Sequence, residues 1–236
     1  MRFKITFRSP APDARLPLSY NAALSSTLKE WLGGANNDHV PPFVFSRLVI
    51  KSKLVDMKSS TIRVLSPTAV LHVGCYSHGA SDADVMGSLT GRSAAFGLKV
   101  ENVELLGPPH WASAMHLRML SPTVVCGSGR EFLTPDAPGF VEQLRSRLVE
   151  RYALATRDGQ QGSRDFEVVL EDRYVSQRGG AGSIVKNIRF QDDTGARNDL
   201  KAFLCPVILR GDPDIIAFAY DAGIGDFTTF GFGMLG

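Results

Sequence analysis

Strand-type alternation, an amphipathic helix, further strands and a second helix succeed one another along the first half of the chain, and the order βαββαβ then returns in the second half. That repetition predicts an α+β protein of two tandem ferredoxin-like (RRM-like) domains, each a split βαβ unit. The length agrees, because 236 residues divide into 1–123 and 124–236, both of ordinary domain size. No low-complexity stretch separates the halves, so a closely packed pair is expected rather than two tethered domains.

Phe3, Ile5 and Phe7 alternate with Lys4, Thr6 and Arg8, which predicts a half-buried first strand ended by Pro10 and Pro12. Tyr20, Leu24, Leu28 and Leu32 recur every four residues before Gly33-Gly34, as on an amphipathic helix. Residues 43–54 then read as one strand with Val44, Leu48 and Ile50 on one face and Phe45, Arg47, Val49, Lys51 and Lys53 on the other. Further strands are expected over 61–73, 98–106 and 115–120, with a short Asp-capped helix over 82–89. In the second half, strands are expected at 122–126, 166–175, 183–190 and 201–210, and a helix over 138–155. Asp192-Asp193-Thr194-Gly195 punctuates a hairpin, Asp212-Pro213 opens a helix closed by Gly223, and a last strand begins near Phe230.

A composition of 44% hydrophobic and 21% charged residues excludes a disordered chain or a coiled coil. The net charge of +2 does not announce a polyanion partner, yet it averages unlike halves. Residues 1–123 carry 13 Lys/Arg against 8 Asp/Glu, and residues 124–236 carry 13 against 16. Cys75, Cys126 and Cys205 are odd in number, widely spaced and set in apolar stretches, which suits reduced core thiols. With neither a signal-like start nor a membrane-length apolar run, a cytoplasmic protein is expected.

The most informative segment is Gly223-Ile-Gly225-Asp-Phe-Thr-Thr-Phe-Gly231-Phe-Gly233-Met, which follows a helix. Glycines there could bring backbone N–H groups close to a phosphate, or simply cap the helix and admit a strand. It is no P-loop, since no Gly-Lys-Ser/Thr follows. This segment, the helix Asp-Ile-Ile-Ala-Phe-Ala-Tyr-Asp-Ala before it, the start Met-Arg-Phe-Lys-Ile, the phrase Leu-Pro-Leu-Ser-Tyr20-Asn21 and Leu120-Ser-Pro-Thr-Val-Val resemble the CRISPR-associated repeat endoribonucleases, Cas family six of the RAMP superfamily.

The resemblance implies a CRISPR-associated endoribonuclease that cuts precursor CRISPR RNA within each repeat, without a metal or other cofactor. Attack by the RNA's own 2′-hydroxyl would leave 2′,3′-cyclic phosphate and 5′-hydroxyl ends. It implies that His39, in the loop after the first helix, is the general acid or base, as an imidazole near neutrality suits, and that Tyr20 assists. Residue spacing alone allows a solvated His39 and a core Tyr20. The family's third catalytic member is often a lysine soon after the histidine, and His39-Val-Pro-Pro-Phe has none. Candidate RNA-binding residues are Arg47, Lys51, Lys53, Lys186, Arg189, Gly223, Gly225, Gly231 and Gly233. Arg173 and Arg178 are further cations beside a glycine turn, and Lys186 and Arg189, three apart on a strand, should face opposite sides. The expected partner is repeat RNA or crRNA and no membrane; other Cas proteins of an interference complex and a second copy stay open.

His72, Cys75 and His78 are spaced like metal ligands but lack a fourth. His110, Trp111 and His116 suit packing or base stacking, and Ser66 and Ser121 lack a nucleophile-elbow context. Two rivals remain: a non-catalytic crRNA-binding RAMP subunit of an interference complex, and a small-molecule enzyme whose glycine loop holds a phosphorylated ligand.

Overall fold

The computed structural model describes every residue except 34–41, 77–87, 130, 157–165 and 192–196. In the front half, β1 (Arg2–Arg8), β3 (Phe43–Phe45), β4 (Val49–Ile50), β7 (Thr68–Cys75) and β8 (Lys99–Leu106) form one antiparallel sheet in the order β3-β7-β1-β8, with β4 also on β7. Taken as the four main strands of the unit, this is 2-3-1-4, the split βαβ arrangement. α1 (Asn21–Gly33) lays Leu24, Leu28 and Trp31 over Phe3, Ile5 and Phe7, because the four-residue apolar spacing of the helix meets the two-residue alternation of the strand. A smaller sheet of β2 (Arg15–Pro17), β5 (Lys53–Asp56) and β6 (Thr61–Val64), in the order β2-β6-β5, extends this half.

The rear half repeats the plan. β9 (Ala114–Leu117), β11 (Glu167–Leu170) and β14 (Val207–Arg210) lie in the order β11-β14-β9. Residues 118–119 continue onto the tail, where Arg118 and Gly236 exchange two 2.8 Å backbone bonds and Met119 bridges Leu235, so the order is again 2-3-1-4. α2 (Phe140–Thr156) and α5 (Pro213–Ala222) supply Leu144, Leu148, Ile215 and Phe218 to the second core. Asp212 caps α5 by accepting from the Asp214 N–H at 2.9 Å, Pro213 opens it and Gly223 ends it, as the sequence indicated. Between the second and third strands are α3 (Asp172–Gln177), α4 (Ala181–Ile184) and the hairpin β12 (Val185–Gln191)–β13 (Arg197–Phe203), whose sheet β10-β13-β12 includes β10 (Thr123–Val124).

Several expectations are corrected. The 115–120 strand pairs with β14, so the chain passes between sheets at Gly107-Pro108-Pro109 rather than at 123/124. The runs 61–73 and 201–210 each divide at a proline, Pro67 and Pro206, because proline has no N–H for the ladder. The 166–175 strand stops at Leu170 and turns helical at Asp172, and the strand expected from 183 begins at Val185 after α4. The last strand starts later than Phe230: a 3-10 turn, Thr228–Phe230, comes first, and the tail pairs with 118–120 only from Met234. The 82–89 helix falls mainly on residues outside those described.

The 43–54 run is also three pieces. Phe45 lies opposite Val73 but Val49 lies opposite Val70, so 46–48 stand against only two residues and form a one-residue bulge. Ser46 seals it: its N–H donates to the His72 carbonyl at 2.9 Å, and its Oγ accepts from the His72 N–H at 3.0 Å. The bulge reverses the alternation, so Phe43, Phe45, Leu48 and Ile50 share the front core, while Val44, equally buried, takes the other face against Gly223.

Candidate functional site

Tyr20, at the start of α1, is only 8% exposed and belongs to the front core. Its hydroxyl accepts the Leu48 N–H at 3.0 Å, so it props the bulge that carries Arg47 outward. Burial raises the phenol above its ordinary value of 10, against the smaller opposing pulls of the Leu48 hydrogen bond and the Arg47 charge. A group so placed orients backbone well and ionises poorly. His39 lies outside the described residues, in the chain between α1 and β3.

The glycine-rich segment is built for close packing. Gly223, Gly225, Gly231 and Gly233 are buried and all have φ between 74° and 79°. A Cβ on Gly223 would meet Val44 at 2.8 Å, on Gly225 the Val124 carbonyl at 2.4 Å, on Gly231 the Phe45 ring at 2.4 Å and on Gly233 the Ile224 carbonyl at 1.8 Å. The N–H groups of Gly223, Gly231 and Gly233 donate to Ala219, Thr228 and Pro122 carbonyls. Protein fills the space around these four glycines, and the amides of three of them are spent inside the fold. The arc that stays partly exposed is Asp226, Phe227, Thr229 and Phe230.

That arc is held from both halves. Asn21 Nδ2 donates to the Phe230 carbonyl at 2.8 Å, and Lys29 Nζ lies 5.0 Å from the centre of the Phe230 ring. Phe190 of β12 meets Phe230 and Phe232 edge-on at 5.1 and 5.8 Å. Arg151 of α2 donates to the carbonyls of Ala222, Gly223 and Gly225 at 2.7, 3.2 and 3.3 Å, and burial lowers its pKa to about 10 against the pull of Asp226. Asp226 itself accepts the Cys126 N–H at 2.7 Å and faces Arg147 at 3.6 Å.

The remaining candidates are dispersed. Arg47, Lys51 and Lys53 are all exposed, but on a bulge, a turn and the first residue of a strand in another sheet, not on one strand face. Lys186 shares by alternation the face of Phe190, towards the arc; Arg189 takes the other face, 4.0 Å from Asp199. Arg173 and Arg178 are exposed on and beside α3, Arg178 over the Tyr174 ring at 5.1 Å. His72 and Cys75 point to opposite faces of β7, and His78 lies outside the described residues. His110 and His116 are exposed, while Trp111 packs edge-on against Tyr220 at 5.2 Å.

Sequence reasoning missed Asn21, Arg151 and Arg2. Arg2 reads as one more polar residue of an alternating strand, yet it is buried, donates to the Tyr220 and Leu235 carbonyls and lies over the Tyr220 ring. No local pattern marks it, because the rear half covers it.

The model of the family "CRISPR associated protein Cas6, C-terminal" matches residues 107–236, more than half of the chain. The chain belongs to the Cas6 family. The solved structures similar to this Cas6-family chain include a Cas6-related protein from Pyrococcus furiosus, with TM-score 0.77 and 21% identity over 100% of this chain and 97% of that one. A CRISPR-associated Cas6 protein gives 0.75 at 18% identity, over 100% and 98%, and a RAMP protein that binds different RNA substrates gives 0.74 at 19%, over the same shares. These likenesses establish the tandem ferredoxin-like fold. A comparison with curated proteins matches none of them.

Proposed function

We propose that this protein is the metal-independent endoribonuclease that cuts precursor CRISPR RNA within its repeats. The observation that carries the reading is the Cas6-family match over 107–236, joined to a front half with His39 just beyond α1. His39 exchanges the proton of the 2′-hydroxyl or of the leaving 5′-oxygen as that hydroxyl attacks the adjacent phosphorus. Tyr20 acts as a positioning residue through the Leu48 bulge, and Arg47 offsets developing phosphorane charge. With no lysine soon after His39, cations of the bulge and the turn after it, Arg47 and Lys51, take over charge stabilisation. The partly exposed arc Asp226, Phe227, Thr229 and Phe230, together with Lys186, lines the path of the RNA. The RNA binding described for the similar RAMP protein supports the substrate class.

The test is cleavage of cognate repeat RNA in EDTA by the wild type and by His39→Ala, with a 2′-deoxy substitution at the cut as the chemical control. The expected result is cleavage in EDTA that falls at least 100-fold in the variant and is absent with the 2′-deoxy RNA. Cleavage that survives both changes overturns the mechanism. Tight binding by the wild type with no cleavage would instead favour the crRNA-binding subunit, the reading that the missing lysine motivates.

A further inference from the structure

The positive charge of the chain is concentrated in one place. Residues 13–17 and 47–66, which form β2, β4, β5, β6 and their turns, hold Arg15, Arg47, Lys51, Lys53, Lys58 and Arg63 against Asp13 and Asp56. Their net charge is +4 in a chain of +2, so everything else sums to −2. All six cations are exposed. Both acids are already engaged: Asp13 takes a bidentate pair from Arg63 at 2.9 and 3.1 Å, and Asp56 accepts from the Lys58 N–H at 2.9 Å and the Ser59 hydroxyl at 2.7 Å.

Two further observations set this surface apart from an ordinary solvated face. Arg15 and Arg63 stand directly opposite each other across β2 and β6, a like-charge pair that opposes the pairing of the strands. Five of the eight large apolar side chains exposed among the described residues lie in these same residues, Val49, Leu54, Val55, Met57 and Leu65, with Val55 on the face of β5 away from the arginine row. Leu54 continues the Arg15–Arg63 row onto β5. Water alone requires neither feature, whereas a polyanion with unstacked bases uses both.

We propose that the β2-β6-β5 sheet is a docking surface for single-stranded RNA flanking the cut, its phosphates on Arg15, Lys58 and Arg63 and its bases against guanidinium planes and Leu54. The occupant follows from charge complementarity and from continuity. Arg47, whose charge reaches Tyr20, and Lys51 lie on the bulge and turn that lead directly into β5, where Leu54 joins the arginine row and Lys53, opposite Val64, takes the other face. This inference rests on the RNA-processing reading and extends its substrate beyond the cleavage point.

The experiment measures binding of repeat RNA, made uncleavable by a 2′-deoxy at the cut, as a function of salt. The proteins are the wild type, the triple variant Arg15→Gln/Lys58→Gln/Arg63→Gln, and a control, Arg92→Gln/Lys99→Gln, which removes exposed cations of the front half elsewhere. The triple variant should lower the slope of log K against log salt by about two, and the control should leave it unchanged. A triple variant with the wild-type slope overturns the proposal. So does an unchanged slope accompanied by lost binding to phosphatidylserine vesicles, which would reassign the surface to lipid. A wild type that binds no repeat RNA at low salt overturns the RNA-processing reading itself. Should the triple variant melt early, Lys58→Gln in the turn alone is expected to lower the slope by about 0.7.

Discussion

His72 shows how one side chain reports its surroundings. It sits half-buried on the outer face of β7, between Lys4 of β1 and the Ser46 bulge. Burial, reinforced by the positive charges of Arg2 and Lys4 and opposed by Glu104, lowers its pKa below the ordinary 6.5. In the window between 6.5 and that lower value the unfolded chain holds the proton that the folded chain refuses. Stability present above pH 6.5 is therefore lost as the pH falls through this window. Melting curves from pH 7.5 to 5 should fall less steeply for His72→Gln than for the wild type; an equal fall would place the sensitivity elsewhere. Tyr20 teaches the complementary lesson: its spacing with Leu24 and Leu28 allowed a core residue as readily as a site residue, and its side chain is buried in the core with its hydroxyl on the Leu48 N–H.

At the scale of elements, the glycine-rich segment makes the sharpest demand. Gly233→Ala would place a methyl 1.8 Å from the Ile224 carbonyl at a φ of 77°, so neither the backbone nor its neighbour can yield cheaply. A loss of about 3 kcal/mol is expected in denaturant unfolding; a loss below about 1 kcal/mol would show that the segment relaxes. Four elements were legible because their signals are local: the alternation of β1, the four-residue spacing of α1, the apolar stripe of α2, and the Asp212-Pro213 and Gly223 brackets of α5. Pro67 and Pro206 were equally local signals for the breaks at 65–67 and 204–206, masked by the β-branched runs around them. The Ser46 bulge had no such signal. Its cause is the opposing strand, and only the register reveals that Arg47 would otherwise follow Phe43 and Phe45 into the core. The glycines were visible as a pattern, but a pattern does not say whether a phosphate or a phenyl ring occupies the space that each one frees.

At the scale of the molecule, the two halves are latched by contacts that neither makes alone. Arg2 of β1 reaches the Tyr220 and Leu235 carbonyls and lies 4.0 Å from Asp221, while Gly74 of β7 lets the Asp221 carbonyl approach its backbone. Burial lowers Arg2 to about 10, against the pulls of Tyr220 and then Asp221, and raises Asp221 above its ordinary 3.8, against the N-terminal ammonium and then Arg2. Arg2→Met would leave the Tyr220 and Leu235 carbonyls without their donor, while Asp221 keeps the Met1 ammonium at 2.7 Å, at a cost of about 2 kcal/mol. Calorimetry should then resolve two transitions in place of one. A single sharp transition in that variant would mean that the glycine segment and the remaining contacts between the halves couple them without Arg2. Among the described residues the backbone passes from the main front sheet to the main rear sheet at 107–109, and that crossing is also where the chain can be divided for complementation. Two separately produced pieces would each bring a whole sheet, and they would find each other through the same guanidinium and the same glycines.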